Sequence, residues 1–324
     1  MKISKKALSE MLYWMLLGRR LEERITVLFR EGKIRGHHHP GIGQEATNVG
    51  VTFPLRKDDY IAISHRGKSS ELMRGVSLKD LVGGYYAKKD CLQGGLIPSG
   101  SHMYGDMSKG VIPMPGIIGS VIPIAVGAGL VQKMKKKKGV VVCIFGDGAC
   151  NRGDFHEGVN LAAALKLPVV FVLANNGYSM SVSVEKATGL KELSARAAGY
   201  GIPGLTIDGN DVRQVYHQAV KFIKRARDGK GASLIECMVH RWTGHSISDA
   251  DVYRTDEERS AGEKKDPVTR FKKELLAEGI LTEKTYDALE QRVSREIDEA
   301  VDYSENECVY PEPVDVLKNV YSEN

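Results

Sequence analysis

Asp147 and Asn176 are the residues best placed to do chemistry, because each follows a run of strand-forming residues. GVVVCIF (139–145) reads as a strand buried on both faces and ends in Gly146-Asp147-Gly148-Ala149. PVVFVLA (168–174) reads as a second such strand and ends in Asn175-Asn176-Gly177. The 29 positions from Asp147 to Asn176 are about one strand–helix–strand crossover. In open parallel sheets ligands bind beyond the carboxyl ends of the strands, so both side chains can converge on one site. A carboxylate and an amide oxygen are hard donors, suited to Mg²⁺ rather than zinc. Two protein oxygens leave an octahedral ion incomplete, and phosphate oxygens, water or a backbone carbonyl would fill it. The glycines allow close backbone approach, and the helix that follows offers free N–H groups to an anion. The local expectation is Mg²⁺ bridging protein and a diphosphate. The alternative is a Gly-rich turn whose Asp caps a helix. Two nucleotide motifs fail: four residues, not two, separate Gly148 from Gly153, and Asp154 stands where a P-loop needs Lys.

The elements that position these residues form a β–loop–α–β unit, with a helix over 154–165. The alternation repeats in GLTIDG (204–209), a helix over about 211–228 and SLIECMVH (233–240). This predicts an α/β fold, a parallel sheet with helices on both faces. Upstream, Leu8, Met11, Leu12, Met15 and Leu16 recur at helical spacing within a helix over about 6–31. A Gly- and His-rich loop, GKIRGHHHPGIGQEA, leads to a helix near Gln44, and DDYIAISHRG reads as a short strand. Residues 91–119 read as a long Gly/Pro/Ser-rich loop, a functional feature in a compact domain. Residues 242–258 read as a polar loop and 266–303 as charged helix. With no repeat or linker visible, residues 1–324 are expected to form one domain with helical extensions at both ends.

Composition bounds the function. The net charge is +5, with basic residues mostly interleaved with acids, so no basic face for nucleic acid is expected. Five cysteines at irregular spacing argue against a disulfide framework or zinc site and for a reducing, cytoplasmic setting. MKISKKALSE lacks the apolar core of a signal peptide. Val111 to Val131 carries no charge and is long enough to span a bilayer. Its three prolines and four glycines instead predict a buried loop leading into a core helix, with Lys135–Lys138 a solvated turn and no membrane partner. The triplet His37–His39 suggests a metal site, but adjacent residues point apart.

The segment GDGACNRGDFHEGVNLAAALKLPVVFVLANNGYSM resembles the thiamin-diphosphate motif, GDG followed downstream by NN. From about residue 8 to 300 the chain resembles the alpha subunit of thiamin-diphosphate-dependent 2-oxo acid dehydrogenases and of acetoin dehydrogenase. The resemblance runs through RGHHHPGIGQEA, SHRG, GIIGSVIPIAVGAG, YGIPGLTIDGNDV and RWTGHSISDADVYRTDEE. It implies the thiamin-diphosphate-binding fold, with Asp147, Asn176 and the Tyr178 carbonyl as Mg²⁺ ligands. It implies that Gly148, Ala149, His65 and Arg66 meet the diphosphate, and that Gly116 and Ile118 meet the aminopyrimidine through their backbone. His245, on a mobile loop facing the reacting carbon, and His39 would be the catalytic histidines. Histidine suits those roles because it exchanges protons near neutral pH.

Two departures bear on substrate choice. Many relatives carry histidine where Lys68 stands, so Lys68 is expected either to read a substrate carboxylate or phosphate or to be a surface lysine. CLQGGLIPSGSHMYGD differs from the usual GKGGSMH, with one residue missing between Ser101 and His102. Ser246 aligns with a serine phosphorylated in mitochondrial relatives and is read as a loop hydroxyl. The resemblance implies C–C cleavage of a 2-oxo acid (pyruvate or branched-chain) or acetoin, with acyl transfer to a lipoyl-bearing component. It also implies a beta subunit that supplies the activating Glu in an α₂β₂ heterotetramer. Two other readings stay open: a transketolase-like two-carbon or acyl transferase, and a non-catalytic assembly subunit.

Overall fold

The computed structural model describes residues 3–97 and 104–317. In chain order the first elements are α1 (Lys5–Arg30), α2 (Glu45–Thr52), β1 (Tyr60–Ile63), α3 (Lys68–Met73) and α4 (Leu78–Tyr85). The middle of the chain holds β2 (Val111–Ile112), α5 (Val121–Met134), β3 (Val141–Gly146), α6 (Gly153–Ala164) and β4 (Val169–Asn175). Next come a small hairpin, β5 (Tyr178–Ser179) and β6 (Val182–Ser183), then α7 (Val184–Ala187), β7 (Gly204–Asp208), α8 (Val212–Arg227) and β8 (Ser233–Met238). The chain closes with α9 (Asp256–Glu263), α10 (Pro267–Ala277) and α11 (Glu283–Asn306).

Six strands pair in the order β2-β1-β3-β4-β8-β7, all parallel. Both faces of the sheet are covered, which is why its central strands read as unbroken apolar runs. Val142, Ile144, Val170, Val172 and Ile235 face a core shared with α1, α2 and α8. Val141, Cys143, Phe145, Phe171 and Leu234 face the other core, closed by α5 and α6. The expected α/β architecture is therefore present. The register aligns Phe145 with Leu173 and Gly146 with Ala174. It brings the GDG turn and the Asn-Asn turn out at the same edge.

The 91–119 segment is more structured than its composition suggested: it contributes the two-residue edge strand β2 and 3₁₀ turns at Leu92–Gly95 and Met107–Lys109. The departure at Ser101–His102 lies outside the described residues. The uncharged stretch divides between β2 and α5, and no described helix is long and apolar enough to cross a membrane. Lys135–Lys138 are exposed, as expected of a solvated turn. The 266–303 region is two helices, broken where Gly279 adopts φ +63° after α10. The end of the 242–258 loop begins α9, whose N-cap Thr255 accepts from the Glu258 amide while Glu258 accepts from Thr255 N–H.

Candidate active site

A cavity of about 300 Å³ opens at the carboxyl ends of β3 and β4. Of the residues singled out from the sequence, His65, Arg66, Ile118, Asp147, Gly148, Ala149, Asn176, Tyr178 and His245 line it. Gly116 does not, but its neighbours Pro115 and Ile117 do. His39 is set back from the wall, with its ring 4.7 Å from that of His245 and 4.5 Å from that of His65. The histidine triplet diverges as expected: His37 is exposed, His38 buried and His39 half-buried.

The turn after β4 is built to aim oxygens. Asn175 Oδ1 accepts from the Gly177 amide at 3.0 Å, and Gly177 takes φ +83°, which glycine adopts without strain. Asn175 Nδ2 donates to buried Glu236 on β8 at 2.7 Å, fixing the amide's orientation. Asn176 Oδ1 accepts from the Tyr178 amide at 3.3 Å. Asp147, on the facing turn, accepts from the Asn176 amide at 3.3 Å. A Cβ on Gly148 would stand 2.2 Å from Ser179 Oγ on β5, so the close approach of the two turns requires glycine.

The electrostatics are unbalanced. Arg66 is 7% exposed, yet among the described residues its guanidinium donates to carbonyls, of Pro40 at 2.5 Å and His245 at 2.7 Å. Arg241 is 1% exposed and donates to the Thr243 and Met180 carbonyls and the Tyr253 hydroxyl. Burial, then the Arg241 charge, lowers Arg66 to about 9; burial likewise lowers Arg241. Asp147 is 3% exposed with no ion pair among the described residues, and burial raises its carboxyl above the usual range. Burial, followed by Arg66 and Arg241, drives the His245 imidazole down to about 4, so it is neutral near pH 7. Asp147 and the two guanidiniums act on one another through space but form no close ion pair among the described residues, and buried charges so spaced fit an anionic group carrying a divalent cation. No group of three His, Cys, Asp or Glu side chains poised for a metal occurs among the described residues.

Arg241 and Gln44 also line the cavity and were not singled out from the sequence. Arg241 follows β8, the sheet neighbour of β4, so the rule that ligands lie beyond strand ends was the signal for it. The loop that carries His245 is tied internally. Its amide donates to Asp249 Oδ2 at 2.6 Å, Tyr253 bonds the same oxygen at 2.7 Å, and Arg254 pairs with Asp251. Ser246 sits in this loop with its hydroxyl 3.2 Å from that of Ser248. Lys68 is not a surface lysine: it is 1% exposed and lies outside the cavity wall, bonded to the His65 carbonyl.

An arginine-flanked, oxygen-lined cavity at the carboxyl edge of a parallel α/β sheet lies where such sheets bind their ligands. The chain belongs to the dehydrogenase E1 component family, whose model matches residues 13–313. It is 41% identical over 308 residues to the alpha subunit of acetoin:2,6-dichlorophenolindophenol oxidoreductase from Bacillus subtilis, covering 95% of this chain and 91% of that one. It is 37% identical to the alpha subunit of 2-oxoisovalerate dehydrogenase from the same organism, over 95% and 93% of the two chains. It is 32% identical to chloroplastic pyruvate dehydrogenase E1 component subunit alpha-3 of Oryza sativa, over 95% and 74%. The family implies thiamin diphosphate as cofactor and a companion beta-type subunit. The chain is thus an oxidoreductase subunit, and neither the transferase nor the assembly-only reading is favoured.

Proposed function

We propose that this chain is the alpha subunit of a thiamin-diphosphate-dependent dehydrogenase that cleaves the C–C bond of a 2-oxo acid or of acetoin. The acyl unit would pass to a lipoyl-bearing partner, and the enzyme would work in the cytoplasm. The observation that carries the reading is that buried Arg66 and Arg241 and buried Asp147 share one cavity beyond the strand ends with no close ion pair among them. Arg66, His65 and Arg241 would hold the diphosphate, together with the amides of Gly148 and Ala149. Asp147, Asn176 Oδ1 and the Tyr178 carbonyl would hold Mg²⁺, a hard-oxygen set that leaves places for phosphate oxygens and water. Gly116 and Ile118 would offer backbone groups to the aminopyrimidine.

When bound, thiamin diphosphate supplies the carbanion chemistry that breaks the bond. The chain's own contribution is to bind, orient and move protons. His245 enters as a neutral imidazole, able to take a proton from a substrate hydroxyl and return it to an oxygen. His39, its ring 4.7 Å from that of His245, would be the second histidine serving that transfer.

Asp147 is the only carboxylate among the described residues lining the cavity. The family resemblance puts the Glu that would activate the aminopyrimidine on the beta subunit of an α₂β₂ assembly. Ile117 and Ile118 at the cavity wall are 64% and 47% exposed, as suits a rim that a partner covers.

The test is co-expression with a beta-type subunit and dye reduction in thiamin diphosphate and Mg²⁺, offering pyruvate, branched-chain 2-oxo acids and acetoin. Turnover on one of them, abolished by Asp147→Ala, is expected. Cofactor binding without turnover on any would overturn the dehydrogenase reading, and aldehyde acceptors would then be tried for transferase activity.

A further inference from the structure

Behind the three histidine rings lies a buried charge cluster that takes no part in the cradle just described. Glu22 of α1, His38 of the loop before α2 and Lys68 at the start of α3 are each at most 3% exposed. Lys68 Nζ stands 3.7 Å from Glu22 Oε1, and His38 Nε2 stands 2.9 Å from Glu22 Oε2. Tyr85 closes the cluster, its hydroxyl 3.1 Å from His38 Nδ1 and its ring 5.9 Å from Lys68 Nζ. Burial alone would raise the Glu22 carboxyl, but Lys68, His38 and the Gly41 amide hold it down at about 2.

The cluster reaches three loops of the site through their backbone. Glu22 Oε1 accepts from the Gly41 amide at 3.1 Å, two residues from His39. Lys68 Nζ donates to the carbonyl of His65 at 2.7 Å. The carbonyl of His38 accepts from the Ile247 amide at 2.9 Å, two residues from His245. The Lys68–Glu22 pair is thereby tied to the segments of His39 and His65, and the main chain of His38, whose ring meets Glu22, to the segment of His245.

We propose that Lys68 is a positioning residue: with Glu22 and His38 it forms a strut that sets His39, His65 and His245 against one another. The role rests on reading these histidines as active-site groups, although the geometry stands without that reading. An ammonium carries three donors and a fixed charge, so it can satisfy Glu22 and the His65 carbonyl together. A neutral imidazole at position 68 brings one donor and no charge. Removing one partner of a buried pair leaves the other uncompensated, so the loops would shift rather than tolerate it.

Hydrogen–deuterium exchange on the full chain, with its beta subunit, reads the strut without any turnover. Lys68→Met is expected to speed exchange about tenfold in 36–44, 64–68 and 245–249 together, with α11 unchanged. In the activity assay it should lower kcat while the KM for substrate holds. Exchange confined to 64–68, or unchanged in all three segments, would overturn the proposal even if the dehydrogenase reading stands. If turnover proves absent in the wild type, the exchange result still decides the strut. Should Lys68→Met not fold, the double variant Glu22→Gln/Lys68→Met leaves no lone buried charge and is read in the same way.

Discussion

At the residue scale the cavity sets the buried guanidiniums of Arg66 and Arg241 near the buried Asp147 carboxylate. Arg241→Met should weaken thiamin diphosphate binding about 10–100-fold, since one buried cationic fork is lost, as isothermal titration of the assembled enzyme would report. His245→Ala should leave that affinity nearly intact and cut kcat about 10²–10⁴-fold. The acid sensitivity of His245 has a definite sign. Its folded value of about 4 lies below the ordinary 6.5, so the unfolded chain takes up the proton first. Stability is therefore full above about 6.5 and declines as pH falls toward 4. Urea midpoints at pH 7 and pH 5 should draw apart less in His245→Gln than in the wild type. Asp147 and Asn176 were legible in the sequence because their types and strand-end places carry the chemistry. Arg241 was not, since nothing local distinguishes a buried arginine from a solvated one. Lys68 was misjudged for the same reason: its burial depends on Glu22, 46 positions earlier in the chain.

At the element scale the site depends on loops that pass one another closely. Gly43 takes φ +94°, and a Cβ there would stand 2.3 Å from the His240 carbonyl oxygen. Gly43→Ala should cost about 2–4 kcal/mol, combining backbone strain with a contact to rigid backbone, as denaturant unfolding would measure. The loop leading to α2 and the strand end after β8 would be forced apart, so cofactor affinity should fall with stability. The strands were legible in proportion to their burial. β3 and β4 read clearly because both faces are covered and every residue before the closing Asn175 is apolar. β2 was hidden, two residues within a Pro- and Gly-rich stretch, paired only because β1 lies beside it. The gap between α10 and α11 was hidden as well, since Gly279 interrupts a charged run without altering its composition.

At the scale of the whole molecule the proposed reaction centre is shared with a beta-type subunit. Alone, it should show no dye-reducing turnover with thiamin diphosphate and Mg²⁺. Mixed with its beta-type partner it should elute as a heterotetramer and become active, as light scattering and the coupled assay would check. An active chain on its own would refute the assignment of the activating Glu to the partner. The sheet order also bears on how the protein is made. β4 sits between β3 and β8, yet Asn175 and its buried partner Glu236 are 61 residues apart. A ribosome adding about 5–20 residues per second leaves that partner missing for roughly 3–12 s. Through that interval the nascent chain carries the GDG and Asn-Asn turns beside an unpaired strand edge, open to aggregation and to chaperones. Arg241 follows β8, so the second guanidinium of the cavity can take its place only once that last strand of the sheet has been made.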